Sequence, residues 1–222
     1  MWRDAALIGG KDLRIEVRSR VTTTQVAPYA LLVLLLFGFA FDQDQQLLTK
    51  ASPGLFWVAV LLCSLLAVQR SFAIESADGA RDGLRLTGLD PAGVFVGKAA
   101  AVAAQLILLE IILGVGIVVF FGTHLTDPAL LVASALVATA GLAFAGTLYG
   151  MIASGLRVRE TLLPLLVLPV VAPVLLGATQ CWMAALGQSS ADGWKWLSLL
   201  GAFAVIYLMA GILSFSILME EA

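Results

Sequence analysis

Long apolar runs separated by short polar segments dominate the chain. A bilayer core needs about 20 apolar residues in a helix, so the pattern predicts an all-α membrane protein with six transmembrane helices. The first run is the shortest, and tilt or an extension from Val21 would complete it. The runs are residues 26–41, 53–72, 94–121, 129–153, 161–184 and 196–219. Residues 1–222 are interpreted as a single transmembrane domain.

Composition agrees with this pattern and adds an orientation. The chain is 60% hydrophobic and 13% charged, about half the charged share of a soluble domain. Eleven of its 13 Lys and Arg residues flank alternate spans on one side, whereas Lys50 and Lys195 fall on the other. Such a bias predicts that both termini are cytoplasmic, and Trp194 and Trp196 fit an aromatic belt at the outer interface. No pattern points to nucleic acid.

One polar segment precedes the first two apolar runs, and a longer one follows them. Asp12–Arg20 has helical spacing with cations on one face, which predicts an amphipathic helix at the membrane surface; an ordinary basic flank is the alternative. The longer segment, Arg70–Lys98, mixes acids and arginines with spaced leucines, which favours docking to a soluble partner over a solvated connector. Within it, GVFVGK is one residue short of a phosphate-binding loop and has Ala99 where Ser or Thr should stand, so we reject a nucleotide site.

Several residues inside or beside the spans need an interpretation. Glu110 is an intramembrane carboxyl, for which a function and a packing role are weighed evenly. The single histidine, His124, is interpreted as a loop residue. Cys63 and Cys181 have no ligand or redox spacing and are interpreted as core thiols, and no metal site or catalytic residue is predicted. Small residues for helix packing are Gly146, Gly150 and Ser154, and prolines expected to bend the fifth span are Pro164, Pro169 and Pro173.

Four blocks carry a family resemblance: KDLRIEVRSR, PGLFWVAVLLCSLLAVQRSF, FVGKAAAVAAQL and RVRETLLPLLVLPVVAPVL. With them the chain resembles the haem exporter protein B family of the bacterial cytochrome c maturation system, permeases of the ATP-binding-cassette class with an ABC-2-like half-permease fold. The second cytoplasmic segment departs from the family pattern at Arg81-Asp82-Gly83 and at Asp90. By resemblance, the residues that contact the ATPase are Glu75, Asp78, Gly79, Leu84, Leu86, Leu89 and Pro91.

The resemblance implies a transport subunit of the inner membrane that is not itself an enzyme. A separate cytoplasmic ATPase would bind and hydrolyse ATP, and two copies of the chain would face each other. Further implied partners are a haem-handling membrane subunit and a periplasmic haem chaperone, with haem as the exported ligand or as cargo released on the chaperone. The alternatives are a half-permease for another lipid or drug-like substrate, a membrane enzyme centred on Glu110 and His124, and a passive assembly scaffold.

Overall fold

The computed structural model describes residues 1–41, 44–76, 88–121, 126–154 and 159–221, and every regular element in these ranges is helical. The all-α prediction is therefore confirmed. In chain order the elements are α1 (Trp2–Ser19), a π-helical turn (Thr22–Val26), α2 (Ala27–Ala40), α3 (Gln45–Ser76), α4 (Pro91–Phe121), α5 (Pro128–Ser154), α6 (Arg159–Ala185) and α7 (Gly193–Glu221).

Five of the described helices, α3 to α7, are long and apolar enough to cross a membrane, and the number rises to six when α1 and α2 are counted as one bent span. The bend between these two helices is 49°. Helix α2 has only 14 residues. The π-helical turn lengthens it, because residues 22–40 together rise about 28 Å, close to the thickness of a bilayer core.

Four aspartates mark where helices begin. Asp44, Asp90, Asp127 and Asp192 each accept at least one backbone N–H from the first turn of the helix that follows, at 2.9 to 3.2 Å. A carboxylate at this position satisfies an orphan donor and complements the positive end of the helix dipole. The helices therefore start earlier than the apolar runs do; α3, for example, begins at Gln45 rather than at residue 53.

Helix α5 lies at the centre of the bundle and packs against α3, α4, α6 and α7. Its buried positions include Ser134, Gly141, Ala145 and Gly146, all small. Small residues let neighbouring backbones approach closely, which is the usual basis of helix association where lipid supplies no hydrophobic driving force. Helix α1 lies outside this group and packs mainly on α4.

Pro53 lies within α3, and its lost hydrogen bond is replaced by side chains. A proline cannot donate to the carbonyl four residues earlier, here that of Thr49. The Gln188 amide Nε2 donates to this carbonyl at 2.8 Å, and the Ser52 hydroxyl donates to it at 2.8 Å. The connection after α6 is thereby tied to the start of α3.

Helix α6 runs from Arg159 to Ala185 and includes all three predicted prolines. Its buried face repeats at helical spacing through Leu163, Val167 and Val171. Pro169 and Pro173 lie on the opposite, exposed face, and Pro164 is half-buried. The prolines therefore point away from the packed interior of this chain.

Candidate coupling site at the α1 end of the bundle

Helix α1, the last turns of α3 and the first turns of α4 meet at one end of the bundle, here called the α1 end. Segment 77–87 connects α3 to α4 and lies outside the described residues. Glu75 is in the last turn of α3, Leu89 is half-buried, and Pro91 is the first residue of α4. The other predicted contact residues, Asp78, Gly79, Leu84 and Leu86, fall in the segment that is not described.

Two glycines of α4 allow α1 to cross it at close range. A Cβ on Gly97 would lie 2.5 Å from the carbonyl oxygen of Ala5, and one on Gly93 would lie 2.7 Å from that of Met1. From the other side, a Cβ on Gly9 would lie 3.1 Å from the carbonyl oxygen of Gly97. The obstructing atoms are backbone atoms, so no rotamer change could relieve the contact, and any larger residue at Gly97 must push the helices apart.

Lys98 is the buried cation of this crossing. It is 1% exposed, and its Nζ lies 3.5 Å from the carboxylate of Asp12 in α1. It also donates to the Ser71 hydroxyl at 3.2 Å and lies 4.8 Å from the centre of the Phe72 ring, both in α3. A buried ammonium needs such partners, because an unpaired charge in a low-dielectric site is strongly unfavourable. Lys98 therefore joins three helices.

Arg70 makes the corresponding link from α3. Its guanidinium donates to the Ser19 hydroxyl at 2.8 Å and lies 3.9 Å from the carboxylate of Glu16. The same carboxylate accepts the backbone N–H of Thr22 at 2.8 Å. Glu16 thus fixes the bend between α1 and the π-helical turn while it contacts α3.

The first residues of α1 contact the residue before α4. The Met1 amino group lies 3.2 Å from the Asp90 carboxylate, and the Asp90 N–H donates to the Asp4 carboxylate at 3.3 Å. Hydrogen bonding to Asp90 raises the pKa of the Met1 amino group above its ordinary value. Helix α1 is therefore attached to both flanks of segment 77–87, to α3 before it and to α4 after it.

Beside this junction lies a cavity of about 570 Å³. It lies between the π-helical turn, α2, α3, α4 and α5, and Gln25, Gln69, Arg70 and Gln105 are among its lining residues. The rest of the lining is mostly apolar, including Leu66 and other residues of the spans. The α1 end therefore has a partly open cavity next to the contacts that hold it together.

The predicted packing residues of α5 lie opposite α3. A Cβ on Gly146 would come within 2.8 Å of Val68, and one on Gly150 within 2.5 Å of the Phe72 ring. Ser154 instead donates to the carbonyl of Met151 in its own helix at 2.6 Å. Phe72 thus connects the glycine face of α5 to Lys98, so that α5 and the α1 crossing share one aromatic ring.

Glu110 lies in the middle of α4, away from the α1 end. Its carboxyl is 7% exposed and accepts a hydrogen bond from the Thr139 hydroxyl of α5. It borders an apolar groove of about 480 Å³ between α4, α5 and α6. Within the described ranges no three His, Cys, Asp or Glu side chains are grouped so that they could hold a metal ion. His124, the other residue of the enzyme alternative, lies outside those ranges.

Sequence reasoning missed the role of GVFVGK. The motif is a helix crossing, in which Gly97 meets Ala5 and Gly9, and Gly93 meets Met1. The signal was present as two small-xxx-small pairs, one in each segment. Lys98 counts among the eleven basic residues that flank the spans, and the structure places it buried beneath α1.

A family model described as CcmB protein matches residues 4–219. The chain belongs to the CcmB family. Among relatives of this family, heme exporter protein B of Paracoccus denitrificans is 33% identical over 169 residues, which cover 75% of this chain and 76% of the relative. Heme exporter protein B of Haemophilus influenzae is 30% identical over 203 residues, covering 88% and 87% of the two chains. The protein of that name from Escherichia coli K12 is 31% identical over 191 residues, 86% of each chain.

Membership of the CcmB family confirms the resemblance drawn from the four sequence blocks. Together with five or six apolar helices, it makes the chain a multi-pass protein of the bacterial inner membrane and a membrane component of a transport system. Among the described residues, polar contacts between helices concentrate at the α1 end.

Proposed function

We propose that the chain is the permease subunit of a haem exporter, in which ATP hydrolysis by a separate cytoplasmic subunit is coupled to the bundle at segment 77–87. Its relatives carry the name heme exporter protein B, which supports haem as the handled ligand. The chain contributes helices and no covalent chemistry. The output is haem export, or release of a haem-loaded periplasmic chaperone.

The observation that carries the coupling proposal is the attachment of α1 to both flanks of segment 77–87. On one flank Arg70 contacts Glu16, and on the other Lys98 contacts Asp12. A force applied to this segment is therefore transmitted to α1, α3 and α4 together rather than to one helix end. Through Phe72 it also reaches the glycine face of α5.

The distribution of basic residues supports placing the α1 end in the cytoplasm. Arg70 and Lys98 of the junction belong to the eleven cations on this side, against Lys50 and Lys195 on the other. A cytoplasmic ATPase would then meet segment 77–87 directly. Two copies of the chain would bring two such segments to a dimeric ATPase.

The conformational change is assigned to α5 and α6. Glycines 146 and 150 leave α5 close to α3 without interlocking side chains, and the prolines of α6 weaken its hydrogen-bond ladder. Packed interfaces switch between discrete arrangements, so weak points of this kind suit a bundle that alternates between two packings. The haem-handling membrane subunit and the chaperone would respond to this change in helix packing.

The test is substitution of both Leu84 and Leu86 with aspartate. The matched control places aspartate at Leu47, which is exposed at the opposite end of the bundle. We expect the double variant to reach the membrane at normal levels, to lose co-purification of the ATPase in mild detergent, and to abolish cytochrome c assembly. The control should retain both.

Retention of the ATPase and of cytochrome c assembly by the double variant would overturn coupling at this segment. Substrate is tested separately by a haem absorbance scan and by mass spectrometry of the ligands that leave with the purified complex. A co-purified lipid or drug-like molecule that stimulates ATP hydrolysis, in the absence of any haem effect, would point to the alternative half-permease.

A further inference from the structure

The surface of α1 is sorted by charge. Its acids are directed to the bundle, where Asp12 contacts Lys98, Glu16 contacts Arg70, and Asp4 accepts the backbone N–H of Asp90. The acidic side chains of α1 therefore make contacts within the protein and are not presented to the surroundings of α1.

Three arginines of α1 remain on the exposed side: Arg3, Arg14 and Arg18. None of them forms an ion pair with any residue in the described parts of the chain. At 3.6 residues per turn they fall within an arc of about 60°. The result is a basic stripe from Arg3 to Arg18, which is interrupted by the exposed Leu7 and has no counter-charge from the described protein.

An apolar stripe runs beside the basic one. Trp2, Leu13 and Val17 occupy a second arc of about 60°, and Trp2 and Val17 are 74% and 73% exposed. Helices with adjacent basic and apolar stripes lie in the membrane interface, with the apolar residues among acyl chains and the cations at the headgroups. An acidic soluble partner would neutralise the arginines but would leave the apolar stripe in water.

The position of α1 relative to α4 agrees with an interfacial depth. Helix α4 has 31 residues, which is about 46 Å at 1.5 Å per residue, against a hydrocarbon core of about 30 Å. When α4 is centred, about 8 Å extends beyond the core at each end. The crossing at Gly93 and Gly97 falls in or next to the extension at the α1 end, level with the headgroups.

We propose that the exposed face of α1 is a binding surface for anionic phospholipid headgroups in the leaflet on the α1 side. Arg3, Arg14 and Arg18 contact the phosphates, and Trp2, Leu13 and Val17 hold the helix among the upper acyl carbons. A basic residue near an anionic surface contributes roughly fivefold in binding, so three arginines together contribute on the order of 100-fold. The attraction weakens with salt.

The experiment uses the full chain in nanodiscs of phosphatidylcholine with 0 to 40% phosphatidylglycerol, at low and high NaCl concentration. Native mass spectrometry counts retained lipids, and thermal unfolding reports the effect of phosphatidylglycerol on stability. The variant is R3Q/R14Q/R18Q, in which the bundle-facing contacts are untouched. The controls are R3K/R14K/R18K, which keeps the charge, and Lys195→Gln, which removes an 84% exposed cation at the opposite end.

We expect the native chain, the lysine variant and Lys195→Gln to retain phosphatidylglycerol preferentially and to gain thermal stability from it at low salt. The glutamine variant should lose most of the preference, approaching a 100-fold reduction. An unchanged preference in the glutamine variant overturns the proposal, as does an equal loss in Lys195→Gln. Loss of ATPase capture with an unchanged lipid preference also overturns it, because the face would then be a protein-docking surface.

Discussion

Replacing Gly97 with alanine should detach α1 from the bundle while leaving the spans intact. The new Cβ would lie 2.5 Å from the carbonyl oxygen of Ala5 and 3.0 Å from the Cβ of Ile8. Ordinary contacts of this kind begin at about 3.4 Å, so the two helices must separate by about 0.9 Å. Because the first obstacle is a backbone atom, only movement of α1 itself can provide that space.

The size of the effect follows from comparing two Gly→Ala changes. Alanine favours helix over glycine by about 1 kcal/mol wherever it fits. Overpacking of a tight contact costs about 1 to 3 kcal/mol. Gly114 is the matched control, because it belongs to α4, as Gly97 does, and a Cβ there has nothing within 4 Å. The difference between the two variants therefore isolates the clash, which corresponds to a 5- to 150-fold change in the equilibrium for α1 opening.

Hydrogen exchange of the α1 amides, measured by mass spectrometry in nanodiscs, is the assay. Gly97→Ala should exchange 5- to 150-fold faster over residues 2–19 than Gly114→Ala, with unchanged protection in α5 and α7. Equal α1 exchange in the two variants would refute the close crossing. Loss of protection throughout the bundle would show instead that α1 docking is not a separable step.

Three further outcomes are expected. Glu110→Gln, which keeps an acceptor for Thr139, should change the thermal midpoint little, whereas Glu110→Leu should cost about 1 to 2 kcal/mol of unfolding free energy. Phe56→Ala should cost about 3 to 5 kcal/mol in the same unfolding assay, because the buried ring stacks on a tryptophan of α6 at 4.0 Å between centroids. The raised pKa of the Met1 amino group means that its contact with Asp90 is present below pH 8 and is lost as pH rises through the raised value. Exchange of the first α1 amides, corrected for intrinsic rates, should therefore accelerate at alkaline pH, and N-terminal acetylation should produce the same change at pH 7.

The helices could be predicted from the sequence because each is encoded locally. A run of 20 apolar residues has few alternatives to a spanning helix, and the amphipathic spacing of Asp12–Arg20 identified the C-terminal half of α1. Helix ends were harder, since the capping role of Asp44 or Asp192 lies outside the apolar pattern.

The α1 end could not be predicted, because its contacts join residues far apart in the chain. Lys98 and Asp12 are 86 positions apart, and the sequence around each one indicates only an ordinary charged residue near a span. Likewise, the sequence around Gly97 resembles an incomplete phosphate-binding loop, and its packing role is visible only from its contact with Ala5 in the structure. Local patterns specify which segments are helices, whereas pairing between helices depends on complementary shapes that a single pattern does not contain.

The prolines of α3 and α6 differ in what replaces their missing donors. At Pro53 the freed carbonyl of Thr49 accepts from Gln188 within the same chain. In α6 the carbonyls of Leu165 and Pro169 each precede a proline by four residues, and Leu165, Pro169 and Pro173 lie on the exposed face. An acceptor without a donor is costly in hydrocarbon. The freed carbonyls on that face of α6 therefore need hydrogen bonds from water or from a donor of a neighbouring chain. Lipid tails cannot supply such bonds.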